Sequence, residues 1–168
     1  MSAFKKQVRI LLEQAGREAQ LEGSSRIEAQ HLLLAIAAQP DTLGAQLLSS
    51  VGLDHSSLRE LLEREYAHGL RAAGVSLEAF ALPQALAVAS DEARTAGGAV
   101  PVTKLATSVR SALERGVSGV RRNPRPEHLL LGILRAEQGT VPRALALGGI
   151  DRGELLLRVQ QTLMKSAA

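Results

Sequence analysis

The sequence predicts an all-α protein, and three observations carry that expectation. Aromatic residues are only 2% of the 168-residue chain, so the core must be built from Leu, Ala and other aliphatic side chains. Such a core suits closely packed helices better than sheets. Helix formers dominate, and no segment alternates apolar and polar residues between hairpin turns as a half-buried strand would. The third observation is an internal repeat: "HLLLAIA" at His31 recurs as "HLLLGIL" at His128, an offset of 97 residues that runs without a gap.

Under that offset Leu32, Leu33, Leu34 and Ile36 fall on Leu129, Leu130, Leu131 and Ile133. Leu48, Gly52, Asp54 and Leu58 fall on Leu145, Gly149, Asp151 and Leu155. The matched positions are those that pack, turn or cap, so the duplication is of a structural unit. Each unit reads as four helices, over residues 3–66 and 102–164, and the two should form one pseudo-symmetric globule.

In the first unit Phe4, Val8, Leu11, Leu12, Ala15 and Ala19 make one apolar stripe at helical spacing, broken by Gly23-Ser24-Ser25. The second helix carries "HLLLAIA", apolar nearly all round, and so belongs at the buried centre. Pro40-Asp41 ends it, and "LGAQLLSSV" forms a short third helix closed by Gly52. Asp54 stands at an N-cap position before a fourth helix with Leu58, Leu61, Leu62 and Tyr66 on one face. The second unit repeats the plan with "VTKLATSVRSALERGV", "PEHLLLGILR", "VPRALALG" and Asp151 ahead of Leu155, Val159 and Leu163. Between the units, 67–101 predicts the end of one helix, a turn, and an extra helix with Pro83 in its first turn and Gly97-Gly98 at its end.

The chemistry-bearing residues point away from catalysis. No cysteine is present, which removes disulfides, thiolate metal sites and cysteine nucleophiles. His31 and His128 lack the companion ligands of a metal site, and a structural role at the start of a buried helix is expected for both. Asp54 and Asp151 occupy equivalent places, each just after a glycine and before an amphipathic helix, which favours capping over a hydrolytic carboxylate pair. There is no P-loop, nucleophile elbow or dinucleotide-binding glycine pattern, so neither an enzyme nor a cofactor is expected. The net charge is +3, but 20 basic residues are interspersed with 17 acidic ones, so nucleic acid is not the expected partner. Arg121, Arg122 and Arg125 form the densest basic cluster; it reads as a solvated loop, or else as an anion-binding lip ahead of the next helix. Apolar runs are far shorter than a bilayer span and no signal-peptide core opens the chain, so a cytoplasmic protein with no membrane partner is expected.

The segment "PEHLLLGILRAEQGTVPRALALGGID" resembles the core of the Clp amino-terminal (Clp R) repeat through Glu127, His128, Leu129 to Leu131, Gly132, Gly139, Leu145, Gly149 and Asp151. "EAQHLLLAIAAQPDTLGAQLLSSVGLD" is similar but more diverged, keeping His31, the leucines, Gly52 and Asp54. In that family the double repeat forms the N-terminal domain of ClpA- and ClpC-type unfoldases. The resemblance implies a non-catalytic binding module whose partners are Clp unfoldase or protease components, adaptors or substrate proteins. The chain ends at Ala168 with no linker into a Walker motif, which suggests a stand-alone protein of the kind common in actinobacteria.

In ClpC-type proteins the domain recognises phosphorylated arginine through the Glu before each histidine, a threonine and a helix N-terminus. Here the second repeat keeps Glu127 but has Pro126 where the threonine belongs, and the first has Ala29-Gln30, without hydroxyl or charge. The candidate peptide or phosphoarginine-like residues are therefore Glu127, Arg125 and Gln30, with a groove between the units expected near Phe4 and Phe80. The expected role is an adaptor, regulator or decoy in ATP-dependent Clp proteolysis. The alternative is a sensor that binds a small molecule or peptide antibiotic in the same groove, independently of Clp.

Overall fold

The first helix carries its stop and start signals in its own residues. Ser2 caps α1 (Ala3–Glu22) by accepting from the Lys5 N–H, and Gly23, at φ 79°, closes it in the left-handed region. The computed structural model describes residues 2–75 and 102–167. After α1 come α2 (Ala29–Ala37), α3 (Leu43–Ser49), α4 (His55–Ala72), α5 (Thr107–Val117), α6 (Glu127–Leu134), α7 (Thr140–Leu147) and α8 (Arg152–Ala167). Shifted by 97 residues, the starts of α2, α3 and α4 fall within one residue of the starts of α6, α7 and α8. The fold class is all-α, as the repeat and composition predict.

One detail differs from the sequence reading. The helix expected from Val102 begins only at Thr107, because the backbone before it is committed elsewhere. The Ile27 N–H donates to the Lys104 carbonyl (2.7 Å) and the Ala106 N–H donates to the Ile27 carbonyl (2.8 Å), making an isolated parallel bridge between Ile27 and Leu105. Pairing with Ile27 holds residues 104–106 extended, so the helix starts only after them. The end of α4 at Ala72 with the turn at Gly74, and the end of α2 at Ala37 ahead of Pro40, follow the sequence reading. The extra helix expected in the connector, and Phe80 with it, lie outside the described residues.

The two leucine-rich helices form the centre. Leu32 and Leu33 of α2, and Leu129, Leu130 and Ile133 of α6, are fully buried. Each central helix is covered by the first helix of its own unit and meets that unit's third and fourth helices. The units also exchange contacts reciprocally: α4 lies on α7, α8 lies on α3, and α2 touches α6. That reciprocity is what a two-fold relation between duplicated units produces.

The first two helices of the second unit approach more closely than alanine would allow. A Cβ on Gly132 would sit 1.9 Å from the Ala112 carbonyl oxygen, and one on Gly116 would sit 2.1 Å from that of His128. The equivalent positions in the first unit are Ala35 and Ala19, both fully buried, so that pair packs through methyl groups instead.

Two carboxylates lie inside this apolar frame. Glu18 of α1 is 3% exposed and accepts from His55 Nε2 (2.8 Å), Arg59 Nη2 (2.5 Å) and Gln14 Nε2 (3.2 Å). It fastens α1 to α4. Glu65 of α4 accepts from Arg143 Nε of α7 (2.8 Å), an ion pair that crosses between the units. Their positions are periodic: Glu18 follows Leu11 by seven residues and Glu65 follows Leu58 by seven, which places each on its helix's buried face.

Candidate functional site

The starts of α2 and α6 are built alike. His31 Nδ1 accepts from the Glu28 N–H (2.9 Å), and His128 Nδ1 accepts from the Arg125 N–H (2.9 Å). In both units an imidazole in the first turn of the helix therefore satisfies a backbone donor at its entrance. Because Nδ1 of His31 is the acceptor, Nε2 carries the proton and donates to the Glu22 carboxylate. His31 is fully buried, whereas His128 is half-buried.

Immediately before each imidazole stands the residue expected to face a ligand, and each of those lines a cleft shared with the other unit. Glu127 and Pro126 border a cleft of about 160 Å³ whose other walls are Ile10 and Leu11 of α1, Ile36 of α2, and Thr42 and Gly44 at the start of α3. Gln30 and Ala29 border a larger one of about 510 Å³, walled by Thr107 and Ser108 of α5, Ile133 of α6, and Gly139 to Pro142 at the start of α7. Shifted by 97 residues, Ile10, Leu11, Ile36, Thr42 and Gly44 become Thr107, Ser108, Ile133, Gly139 and Val141, so the clefts are the same site built twice.

Their chemistry has diverged. The Glu127 cleft has mostly apolar walls and a carboxylate at its edge. The Gln30 cleft has hydroxyls and the side chains of Arg115 and Arg135, together with Glu28 and Glu137. Arg115 Nε donates to the Gly132 carbonyl (3.1 Å) and Arg135 Nη1 to the Arg115 carbonyl (2.8 Å), leaving each guanidinium further donors for a guest. The N-caps of α5 and α7 are Ala106 and Gly139, which supply no capping side chain. Gln30 is 92% buried by its 8% exposure, and its Nε2 donates to Glu28 Oε2 (3.1 Å).

Arg125 is not brought to either cleft. Its Nη2 donates to the Ser166 carbonyl near the end of α8 (2.5 Å), which holds the side chain against the second unit. Phe4 is half-buried against the core and lines neither cleft. Asp54 accepts from the Ser57 N–H (2.8 Å) and Asp151 from the Glu154 N–H (3.0 Å), both at helix starts. The Ser57 backbone N–H, helped by its hydroxyl, holds the Asp54 carboxyl below the ordinary carboxylate range.

A further cleft among the described residues, about 760 Å³, escapes motif reasoning. It opens between the end of α1 and α4, with Leu34, Leu62 and Tyr66 among its walls and Glu18, Glu22 and Glu63 around it. Glu28, Gln30 and Thr140 line both this cleft and the 510 Å³ one, so the two adjoin. The sequence signal for it is Tyr66, an aromatic on an apolar helix face that remains 63% exposed. Among the described residues no cluster of three or more His, Asp or Glu could hold a metal ion, and no helix is long and apolar enough to cross a membrane.

The model of the Clp repeat (R) N-terminal domain matches residues 3–99 of the chain. The chain belongs to the Clp N-terminal domain family. Among solved structures, the N-terminal domain of the caseinolytic protease-associated chaperone ClpD from Arabidopsis thaliana is similar in fold. Its TM-score is 0.64 at 18% identity, over 96% of this chain and 94% of that one. No curated protein matches the chain significantly. Clp N-terminal domains serve generally as non-catalytic protein-interaction modules of Clp chaperones.

Proposed function

We propose that the chain is a non-catalytic binding module acting as an adaptor, regulator or decoy in ATP-dependent Clp proteolysis, and that guests enter through the two cross-unit clefts. The observation that supports this reading most is the duplication of the cleft itself. Each copy needs the α2-type helix start of one unit and the first helix of the other, so the guest surface exists only in the assembled pair. Clefts of this construction recognise side chains without a bond-making group beside them. Among the described residues neither His31 nor His128 lines either cleft; their Nδ1 atoms are engaged with backbone N–H groups, and Asp54 and Asp151 are engaged with helix N-termini.

The departures at Gln30 and Pro126 bear on phosphorylated arginine. A carboxylate beside a guanidinium forms a charge-assisted pair, and only Glu127 supplies one at these two positions. The Glu127 cleft is therefore the one suited to a cationic side chain.

The test is capture from lysate by the intact chain and by Glu127→Lys. The wild type is expected to recover a Clp subunit, adaptor or degradation substrate, and Glu127→Lys to recover less of it. Capture of none of these by the wild type overturns the reading. The 510 Å³ cleft also falls within the size range of small-molecule sites, which keeps a ligand sensor as a second reading. A thermal-shift series distinguishes it, because a tight ligand raises melting by mass action with no Clp component present.

A further inference from the structure

The adjacency of the 510 Å³ and 760 Å³ clefts carries an inference about the shape and charge of the guest. The Gln30 cleft, with Arg115 and Arg135, meets the α1–α4 cleft at Gln30 and Thr140, and there Glu22 and Glu63 stand beside Leu62 and Tyr66. Side-chain charge at the first end is balanced, since Glu28 and Glu137 also border it. Two things tip it positive. The Glu28 carboxylate stands at the α2 N-cap, where the positive end of that helix's dipole offsets part of its charge, and the α5 and α7 N-termini there have no capping side chain and present free N–H groups at the positive ends of their dipoles. At the second end Glu18 is neutralised by Arg59, but Glu63 is exposed and Glu22 is half-exposed opposite a neutral donor. The groove is thus electropositive at one end, and acidic with an apolar wall at the other.

We propose that this groove takes one extended peptide segment per chain in a single orientation. The segment carries an anionic side chain at the Arg115–Arg135 end and, further along, a basic residue beside an aliphatic or aromatic one at the Glu63–Tyr66 end. This rests on the peptide-binding reading above and narrows it to a guest of stated charge order. The single orientation follows from a broken symmetry. The second unit has Gly119, Arg125 and Gln160 at the places of Glu22, Glu28 and Glu63, and Leu163 at that of Tyr66, so the polarised groove has no second copy. Stoichiometry should be one segment per chain, although the α2- and α6-start clefts number two.

The experiment uses the full chain and labelled peptides read by fluorescence anisotropy. The parent peptide has aspartate at one end and Arg-Leu at the other. One variant carries phosphoserine for the aspartate, and two invert a single charge each. The parent should bind one-to-one, with phosphoserine tighter if the anion is a phosphomonoester and aspartate equal or tighter if it is a carboxylate; either result supports the groove. Glu63→Arg, an exposed change that leaves the fold intact by circular dichroism, should weaken the parent roughly tenfold. It should recover the peptide whose arginine is replaced by glutamate. Arg135→Glu should behave likewise at the other end. Binding indifferent to the charge inversions overturns the groove while leaving the binding-module reading in place. Loss of binding in Glu127→Gln alone also overturns it, because the guest then sits in the smaller cleft. If no peptide binds while the chain still captures a Clp component, the groove is wrong and the module reading survives. If both fail, both are wrong.

Discussion

With Nδ1 turned to the Glu28 N–H and the ring fully buried, His31 works as a cap placed inside the helix it closes. His31→Leu keeps the volume but leaves that N–H unpaired, so it should cost about 1–3 kcal/mol in a urea titration. The same change at the half-buried His128 should cost less, since water can reach the Arg125 N–H. A larger loss at His128 would contradict the assignment. Asp54 gives a pH-dependent case. Its folded-state carboxyl is depressed by the Ser57 hydrogen bonds, so its contribution is present at neutral pH and fades as pH falls through the acid end of the carboxylate range. Thermal melts of wild type and Asp54→Asn should therefore differ at pH 7 and converge towards pH 3. Both aspartates and both histidines bond to backbone N–H groups three residues away, a reach that a local sequence pattern covers. Glu18 and Glu65 lie beyond that reach: helical spacing placed them on buried faces, but their cations come from α4 and α7, which no local pattern connects to them.

At the scale of elements, the α5–α6 contact depends on the absence of two methyl groups. Gly132→Ala should force the helices apart and cost about 1–3 kcal/mol or more by overpacking, measured as a fall in denaturation midpoint. Ala35→Gly at the equivalent place in α2 removes a buried methyl instead and should loosen rather than strain the fold. The α1–α4 attachment through Glu18 gives a cycle. Arg59→Ala strands a buried carboxylate with His55 and Gln14, a change worth about 1–3 kcal/mol once the one-third exposure of the guanidinium is discounted. Glu18→Gln combined with Arg59→Ala should cost less than the two single changes added together. Additive costs would mean that the pair is not coupled. The late start of α5 belongs here too: the residues from Val102 read as helix by composition, and only the pairing with Ile27 in the other unit removes them from it.

For the whole molecule, the reciprocal contacts of α4 with α7 and α8 with α3 mean that neither unit buries its own fourth helix unaided. Chains spanning 1–75 and 102–168, expressed separately, should show little cooperative unfolding by circular dichroism, and mixing them should restore it. Independent folding of either piece would overturn that interdependence. The sequence by itself determined the all-α class, the duplication, the helix ends among the described residues other than the start of α5, and the family, because each is written in spacing, capping residues or a motif carried by consecutive positions. Only the tertiary structure decided that Glu127 and Gln30 face equivalent clefts, that Arg125 is held by Ser166 away from both, and that a polarised groove runs from Arg135 to Tyr66. Those facts depend on which residues of one unit the other unit places opposite them, and a chain read in order contains no distance between its halves.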